Sequence, residues 1–404
     1  MTQGCVMKSI VAECALKIVV LALGLGFFSA CSQSKDSASV MSTQATPACA
    51  QQTIAHRYIV QWEDGSFSIE DGESDADFRK NFVDKKLQLI KYVDRDYRIK
   101  LKTQDLPTKS VSTQANYPAV MNWGPEKIQA AELWNQNYLG QNVKVGIVDG
   151  MVDSSHQQLA GNVLSAQQFN LETNDPVRNK HGTHVAGIIA ADSSFGPVKG
   201  VAPKAKILGG QFIANDGSGS IGDAILAMNE VAKQGARVIN MSWGGAPCVS
   251  NLKDAFDQLS AKDILLVTAS GNSGLNLDFN PSYPATINAK LQLNVAATTM
   301  DDLMAYFSNR GFRMVSVGAP GVGIISTIPG NKLEAMDGTS MAAPIVSGLA
   351  ALLMGAEPSA TAAQVKSAIL RSVDVGAYEL QVSSRGRVNA KKALEQLRLL
   401  LSTN

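Results

Sequence analysis

The chain is short of cysteine, histidine and net charge. Five cysteines in 404 residues are too few and too scattered for a disulfide scaffold, and no Cys-x-x-Cys pair offers a zinc site. Lysine and arginine together number 36 and aspartate and glutamate 35, a net charge of +1. A near-neutral chain lacks the electrostatic footprint of a nucleic-acid binder, so that partner is excluded. The four histidines, His56, His156, His181 and His184, leave few candidates for imidazole chemistry. Apolar residues, by contrast, make up 45% of the chain, ample for a buried core and too many for global disorder. The length suggests about two or three domains.

The first segment reads as an address. Lys8 and Lys17 precede an apolar run from Ile18 to Phe28 that ends in Ser29-Ala30-Cys31, the layout of an export signal. The run is shorter than the roughly 20 residues of a spanning helix. Small residues before a cysteine resemble a bacterial lipoprotein lipobox, which implies acylation of Cys31 and, with Ser32 following, sorting to the outer membrane. Phe28 departs from the Leu usual in that pattern. Residues 32–53, rich in Ser, Gln, Ala and Thr, read as a flexible tether.

A small module follows at 54–101. Strands are expected at Arg57–Trp62, Leu89–Val93 and Tyr97–Leu101, with a helix over Ala76–Lys86 that places Phe78, Phe82 and Val83 on one face. A second polar linker covers 102–118 and would hold a processing site. Beyond it, residues 119–404 alternate short β-rich runs (Val143–Val148, Ala205–Phe212, Val238–Met241, Ile264–Ala269) with helical stretches (His181–Ala191, Gly222–Gln234, Leu252–Leu259, Ser340–Met354). Such alternation predicts an α/β fold, a mostly parallel sheet covered by helices on both faces.

Three segments put a polar group where a strand ends or a helix begins. Val145–Asp149 carries a carboxylate at the end of an apolar strand, where α/β sheets place their sites, although a lone Asp there is also a common cap or turn residue. His181-Gly-Thr-His184-Val-Ala-Gly187 opens a helix with small residues after its first histidine. Gly338-Thr-Ser340-Met-Ala-Ala-Pro344 leaves a hydroxyl sterically open at a helix N-terminus that favours developing negative charge. Together they supply a nucleophile, a base and an orienting carboxylate, the set that acyl transfer needs.

With these motifs in this order, the sequence resembles the subtilisin-like serine peptidases from about Trp123 to Ala390. The resemblance implies a three-layer subtilisin-like fold and an Asp149–His181–Ser340 triad. It also implies Asn272, in Val267–Asn272, as a side-chain oxyanion donor. Ser242-Trp243-Gly244 and Gly217-Ser218-Gly219 would be the two edges between which an extended substrate lies, with Trp243 either shaping the pocket or packing the core. The module at 54–101 looks like a short form of the family's inhibitory propeptide, so the chain's expected partners are protein or peptide substrates and its own propeptide. A membrane is expected only through a lipid on Cys31, and a monomer is expected. The location is the cell envelope, or the space outside after processing.

Departures are few. Gly150 and Met151 stand where the family has Ser or Thr and then Gly, which suggests a turn re-formed with Gly150 in an unusual backbone conformation. Asp153 is a rival carboxylate. Gln158 replaces a calcium-binding Asp of many relatives, so the usual calcium site is not supported; no cofactor is expected, with calcium left open elsewhere. His181 and His184 lack the spacing of zinc peptidases, and His184 reads as a packed helix residue. Cys248 would have no disulfide partner within the catalytic unit. The alternative function is a catalytically weak, peptide-binding pseudo-peptidase on the same fold.

Overall fold

The computed structural model describes residues 35–41, 53–101, 110–111, 123–170, 179–246 and 250–403. The signal segment, Cys31, Cys248 and most of the 102–118 linker lie outside the described residues.

Seven parallel strands form the central sheet: β5 (Lys144–Asp149), β6 (Val163–Gln168), β7 (Lys206–Gln211), β9 (Val238–Met241), β10 (Leu265–Ala269), β11 (Gln292–Thr298) and β12 (Val317–Pro320). Their order is β12-β11-β10-β9-β5-β7-β6. The inner strands β5, β9 and β10 read as mostly apolar runs because both their faces are covered, whereas the edge strand β6 is largely exposed. Val145, Ile147, Val238, Leu265 and Val267 point into one core, beside α1 (His181–Ala190) and α4 (Thr339–Ala356). Val148, Ile239, Met241 and Leu266 point into the other, beside α2 (Ile221–Lys233) and α3 (Ser250–Ala261). Helix α4 is apolar and long enough to cross a membrane, but it is a buried core helix here. From β5 the chain goes to β6 and β7 on one side, then to β9 and onward on the other. The strand order therefore reverses at β5, and the carboxyl ends around this switch point are where ligands gather.

The expected helices and strands of residues 119–404 appear with boundaries within one to two residues. The module differs more. Strands β1 (Thr53–Trp62) and β2 (Phe67–Asp71) pair antiparallel, and the two expected strands after the helix are one, β3 (Ile90–Lys100). The expected helix is three contiguous pieces: an α turn at Asp75–Phe78, a π segment at Arg79–Val83 and a last α turn at Asp84–Lys86. Tyr58 stacks on Phe78 at 3.9 Å, and Val60, Val83, Ile90 and Val93 complete that small core. The tether is not featureless: Ser37–Val40 forms a helical turn capped by Asp36, and Val40 and Met41 are buried against the module. In the linker, Ser110–Val111 (β4) pairs with Glu334 and Leu333.

The other face of the module's sheet joins the second core, where Ile59, Tyr97 and Ile99 pack with Ile221, Ile225 and Leu252. The sheet is extended by β8 (Ser218–Ser220), giving the order β2-β1-β3-β8. Module and catalytic part thus share one sheet and one core.

Candidate active site

Asp149 ends β5 and is fully buried, and His181 is the first residue of α1. His181 Nδ1 lies 2.7 Å from Asp149 Oδ1, which also accepts from the Gly150 N–H at 2.6 Å. The glycine after His181 is needed for this approach: a Cβ on Gly182 would sit 2.2 Å from the Gly150 carbonyl oxygen. Thr183 fastens the turn, its Oγ1 donating to Met151 O (3.2 Å) and accepting from Asp153 N (2.9 Å).

Gly150 is not in the left-handed region, contrary to the expectation from its sequence. It is glycine for a steric reason, since a Cβ there would lie 2.4 Å from the Asn179 carboxamide. Asp153 is a turn residue, its carboxylate taken up by Ser155 N and Oγ and by Gly330 N. Burial pushes its carboxyl up, but these bonds outweigh it and hold the group below the ordinary range.

The remaining candidate histidines are structural. His184 is fully buried and its Nε2–H donates to Glu334 O at 2.9 Å, tying α1 to the hairpin β13 (Ile324–Ile328) and β14 (Lys332–Met336). Burial pushes its pKa down to about 3, so it stays neutral. His156 contacts Lys332 O at 3.3 Å and is likewise shifted down by burial.

Ser340 is the second residue of α4. Its Oγ donates to Ser242 O at 2.9 Å, and Ser242 Oγ donates to Ser340 O at 2.9 Å, a reciprocal pair joining the nucleophile candidate to one substrate edge. Asn240 Nδ2 bonds Ser242 Oγ, and Ser347 Oγ bonds Asn240 Oδ1, so the pair is anchored to both β9 and α4. In this rotamer the hydroxyl faces the edge.

Asn272 follows β10. Its Oδ1 accepts from Thr339 N (2.9 Å) and Thr339 Oγ1 (2.8 Å), while Thr339 Oγ1 accepts from Gly271 N (3.0 Å). Two donors on the carbonyl end fix which end of the amide donates. A Cβ on Gly338 would meet Asn272 Nδ2 at 3.3 Å, so the donating end lies over the Gly338–Ser340 turn. Sequence alone singles out Asn272 but not Thr339, which orients it.

The two edges differ in occupancy. Gly217 and Gly219 carry the chain's own β3: Ile99 pairs with Gly219, and Leu101 N donates to Gly217 O at 2.7 Å. Ser218 is held by Asp216, whose Oδ1 accepts from Ser218 N and Oγ. At Gly244, an added Cβ would meet nothing closer than 3.9 Å among the described residues, so none of them packs over that glycine. Trp243 is only 2% exposed and packs edge-on against Phe212 with centroids 5.0 Å apart, so it is a core residue. Gln158 Nε2 donates to Val198 O (2.6 Å) and Asp192 O (3.3 Å). An amide N–H facing those carbonyls does not fit a cation, so the residues at this place do not suit calcium.

Residues 140–394 match the Subtilase family. The chain belongs to that family. Over 282 residues it is 38% identical to thermitase of Thermoactinomyces vulgaris, covering 69% of this chain and 98% of thermitase. Subtilisin DY of Bacillus licheniformis is 34% identical over 278 residues, 68% of this chain and 98% of the relative. Among solved structures, fervidolysin from Fervidobacterium pennivorans, described as a keratinolytic enzyme related to subtilisin, superposes with a TM-score of 0.71 at 24% identity. That match covers 88% of this chain and 62% of fervidolysin, and it establishes the three-layer fold. This subtilase is a subtilisin-like serine endopeptidase acting on proteins or peptides.

Proposed function

We propose that peptide bonds are cleaved through Ser340, His181 and Asp149, and that the enzyme is made as an exported zymogen. Ser340 Oγ attacks the scissile carbonyl, and His181 takes its proton and returns it to the leaving amine. Asp149 keeps the imidazole in the tautomer with Nδ1 protonated and stabilises its positive charge. Asn272 Nδ2 and the Ser340 N–H receive the oxyanion at the start of α4. Water then hydrolyses the acyl-enzyme by the same steps, and no cofactor is required. The observation that carries the reading is the 2.7 Å His181–Asp149 contact, with Ser340 at the head of the adjoining helix.

The zymogen reading rests on β3, which runs antiparallel along β8 as an extended substrate would. Residues 54–101 then act as a folded inhibitor whose C-terminal strand fills one substrate edge. Release by cleavage within 102–118 would free the enzyme from any lipid on Cys31, so that acylation tethers the zymogen and not the mature form. The close packing of Asn179 and Thr183 around Gly150 and Met151 makes a binding-only protein the weaker reading.

Fluorophosphonate labelling of the wild-type chain beside Ser340→Ala tests both parts. Labelling with a mass downshift, both absent from Ser340→Ala, is the expected result. Labelling without a downshift removes the zymogen reading, and no labelling of folded protein favours the pseudo-peptidase. An active mature form that still carries acylated Cys31 refutes the release step.

A further inference from the structure

The turn after Asp149 is shaped by a side chain from elsewhere in the sequence. Asn179 stands two residues before His181, is 6% exposed, and fills the space that a Cβ on Gly150 would occupy. Its Oδ1 accepts from His181 N at 3.3 Å, and its Nδ2 donates to Ile213 O (3.1 Å) and Ala214 O (3.0 Å). Ile213 N in turn donates to Asp149 O at 3.2 Å. With the His181–Asp149 contact these bonds close a ring through the acid, the base and the segment that leads into β8.

The ring matters because the carboxylate is held on one side only. Asp149 Oδ1 takes both the His181 imidazole and the Gly150 N–H, whereas the fully buried Oδ2 has no hydrogen-bond partner among the described residues. Gly150 has no side chain to offer it. Buried polar atoms are usually paired, so the orientation of the His181–Asp149 pair has to be secured elsewhere.

We propose that Asn179 is the positioning residue of this active site. Acting through the His181 main chain and the Ile213–Ala214 carbonyls, it holds the imidazole against Asp149 Oδ1 and in register with the β8 substrate edge. A Cβ at 150 would push the Asn179 carboxamide from its place, so the two positions are coupled: a side chain at 150 displaces Asn179 from its bonds unless residue 179 is small. The inference rests on the triad roles proposed above.

The test uses four full-length chains: wild type, Asn179→Ala, Gly150→Ser and Gly150→Ser/Asn179→Ala. Each is measured for fluorophosphonate labelling rate, for kcat and KM on a peptide substrate, and for melting in a Ser340→Ala background. Asn179→Ala is expected to lower kcat and labelling about 10- to 100-fold with KM changed less than about threefold, the size of effect a small misplacement of a catalytic group produces. Gly150→Ser alone is expected to lose at least as much, because its Cβ meets Asn179. The double variant is expected to recover to within about tenfold of wild type, the introduced hydroxyl then reaching Asp149 Oδ2.

A kcat and labelling rate for Asn179→Ala within twofold of wild type, whatever the melting shows, would overturn the proposal, as would a change confined to KM. Should Asn179→Ala not fold, the double variant decides: a folded chain still down by more than about 100-fold sinks the idea. Wild type that does not label removes the triad reading first, which is a distinguishable result.

Discussion

Pro344 stands four residues after Ser340 and has no N–H to give it. The Ser340 carbonyl, freed from the helix ladder, accepts instead from Ser242 Oγ at 2.9 Å. A proline inside α4 thus leaves the Ser340 main chain free to bond the end of β9 through Ser242. Ser242→Ala is expected to leave that buried carbonyl unpaired and to destabilise the chain by about 1–3 kcal/mol. Pro344→Ala restores a helical N–H to the same carbonyl. In a double-mutant cycle read by thermal or urea unfolding, Ser242→Ala should therefore cost less in the Pro344→Ala background. Equal costs in both backgrounds would show that the two residues do not share this carbonyl.

Asn272 has two jobs that substitution can separate. Its Oδ1 orders Thr339, and its Nδ2 faces the Gly338–Ser340 turn. Asn272→Ala is expected to lower kcat about 10²–10³-fold with little change in KM, the usual loss for one oxyanion donor. Asn272→Asp keeps an acceptor for Thr339 and removes the donor. It should lose kcat to a similar degree while melting closer to wild type than Asn272→Ala does. An Asn272→Asp enzyme with near-normal kcat would show that the oxyanion is held elsewhere.

The catalytic part was legible for a physical reason. Strands buried on both faces are mostly apolar, and Val145–Val148, Val238–Met241 and Leu265–Ala269 announce themselves as such runs. The candidate triad stood out in the sequence because His181 and Ser340 each have small neighbours at a helix start. Asn179 was not legible, since its role comes from filling the place of an absent Cβ at a position distant in sequence. In the module, the charged stretch Asp94-Arg95-Asp96 interrupts the apolar pattern and made one strand look like two. Those carboxylates are buried because they serve another part of the molecule. Asp96 Oδ1 accepts from Gly222 N at 2.9 Å, in the first turn of α2, and Asp94 meets the Ser250 N–H at the start of α3.

That placement gives the docking of the module a pH dependence. Burial pushes the carboxyls of Asp94 and Asp96 up to about 6, against the ordinary 3.8, despite the helix N–H groups and the Arg57 guanidinium facing Asp96 at 3.3 Å. Asp223, which also pairs with Arg57, adds to the rise at Asp96. A carboxyl raised on docking holds its proton more firmly docked than released. Docking is therefore strongest below about pH 4 and weakens as pH climbs through about 6, by tenfold or more, a tenfold loss being about 1.4 kcal/mol. Limited proteolysis of the module in the Ser340→Ala chain, followed from pH 4 to 7, should speed up with pH. Asp94→Asn/Asp96→Asn should flatten that slope, and an unchanged slope would assign the effect to other groups.

Under the zymogen proposal, the register of β3 on β8 predicts where self-cleavage falls. Arg98 pairs with Ser220, Ile99 with Gly219 and Lys100 with Ser218, and Leu101 N bonds Gly217 O, so the strand advances from Ser220 toward Gly217. Gly217 N bonds Ala214 O, which also accepts from Asn179, two residues before His181. The strand therefore runs toward the catalytic base. In an extended peptide, main-chain groups alternate between the two sides, and those of Ile99 and Leu101 are spent on β8. A substrate strand in this register presents its next residue's carbonyl to the opposite edge, where Ser340 Oγ lies 2.9 Å from Ser242 O. The bond expected to break is thus Lys102–Thr103, which lies outside the described residues. N-terminal sequencing of the processed wild-type chain should begin at Thr103, with no such product from Ser340→Ala. Leu101→Pro removes the N–H that Gly217 O accepts and should slow processing without preventing fluorophosphonate labelling. A mature N-terminus at any residue other than Thr103 would mean that β3 does not lie in the register of a substrate.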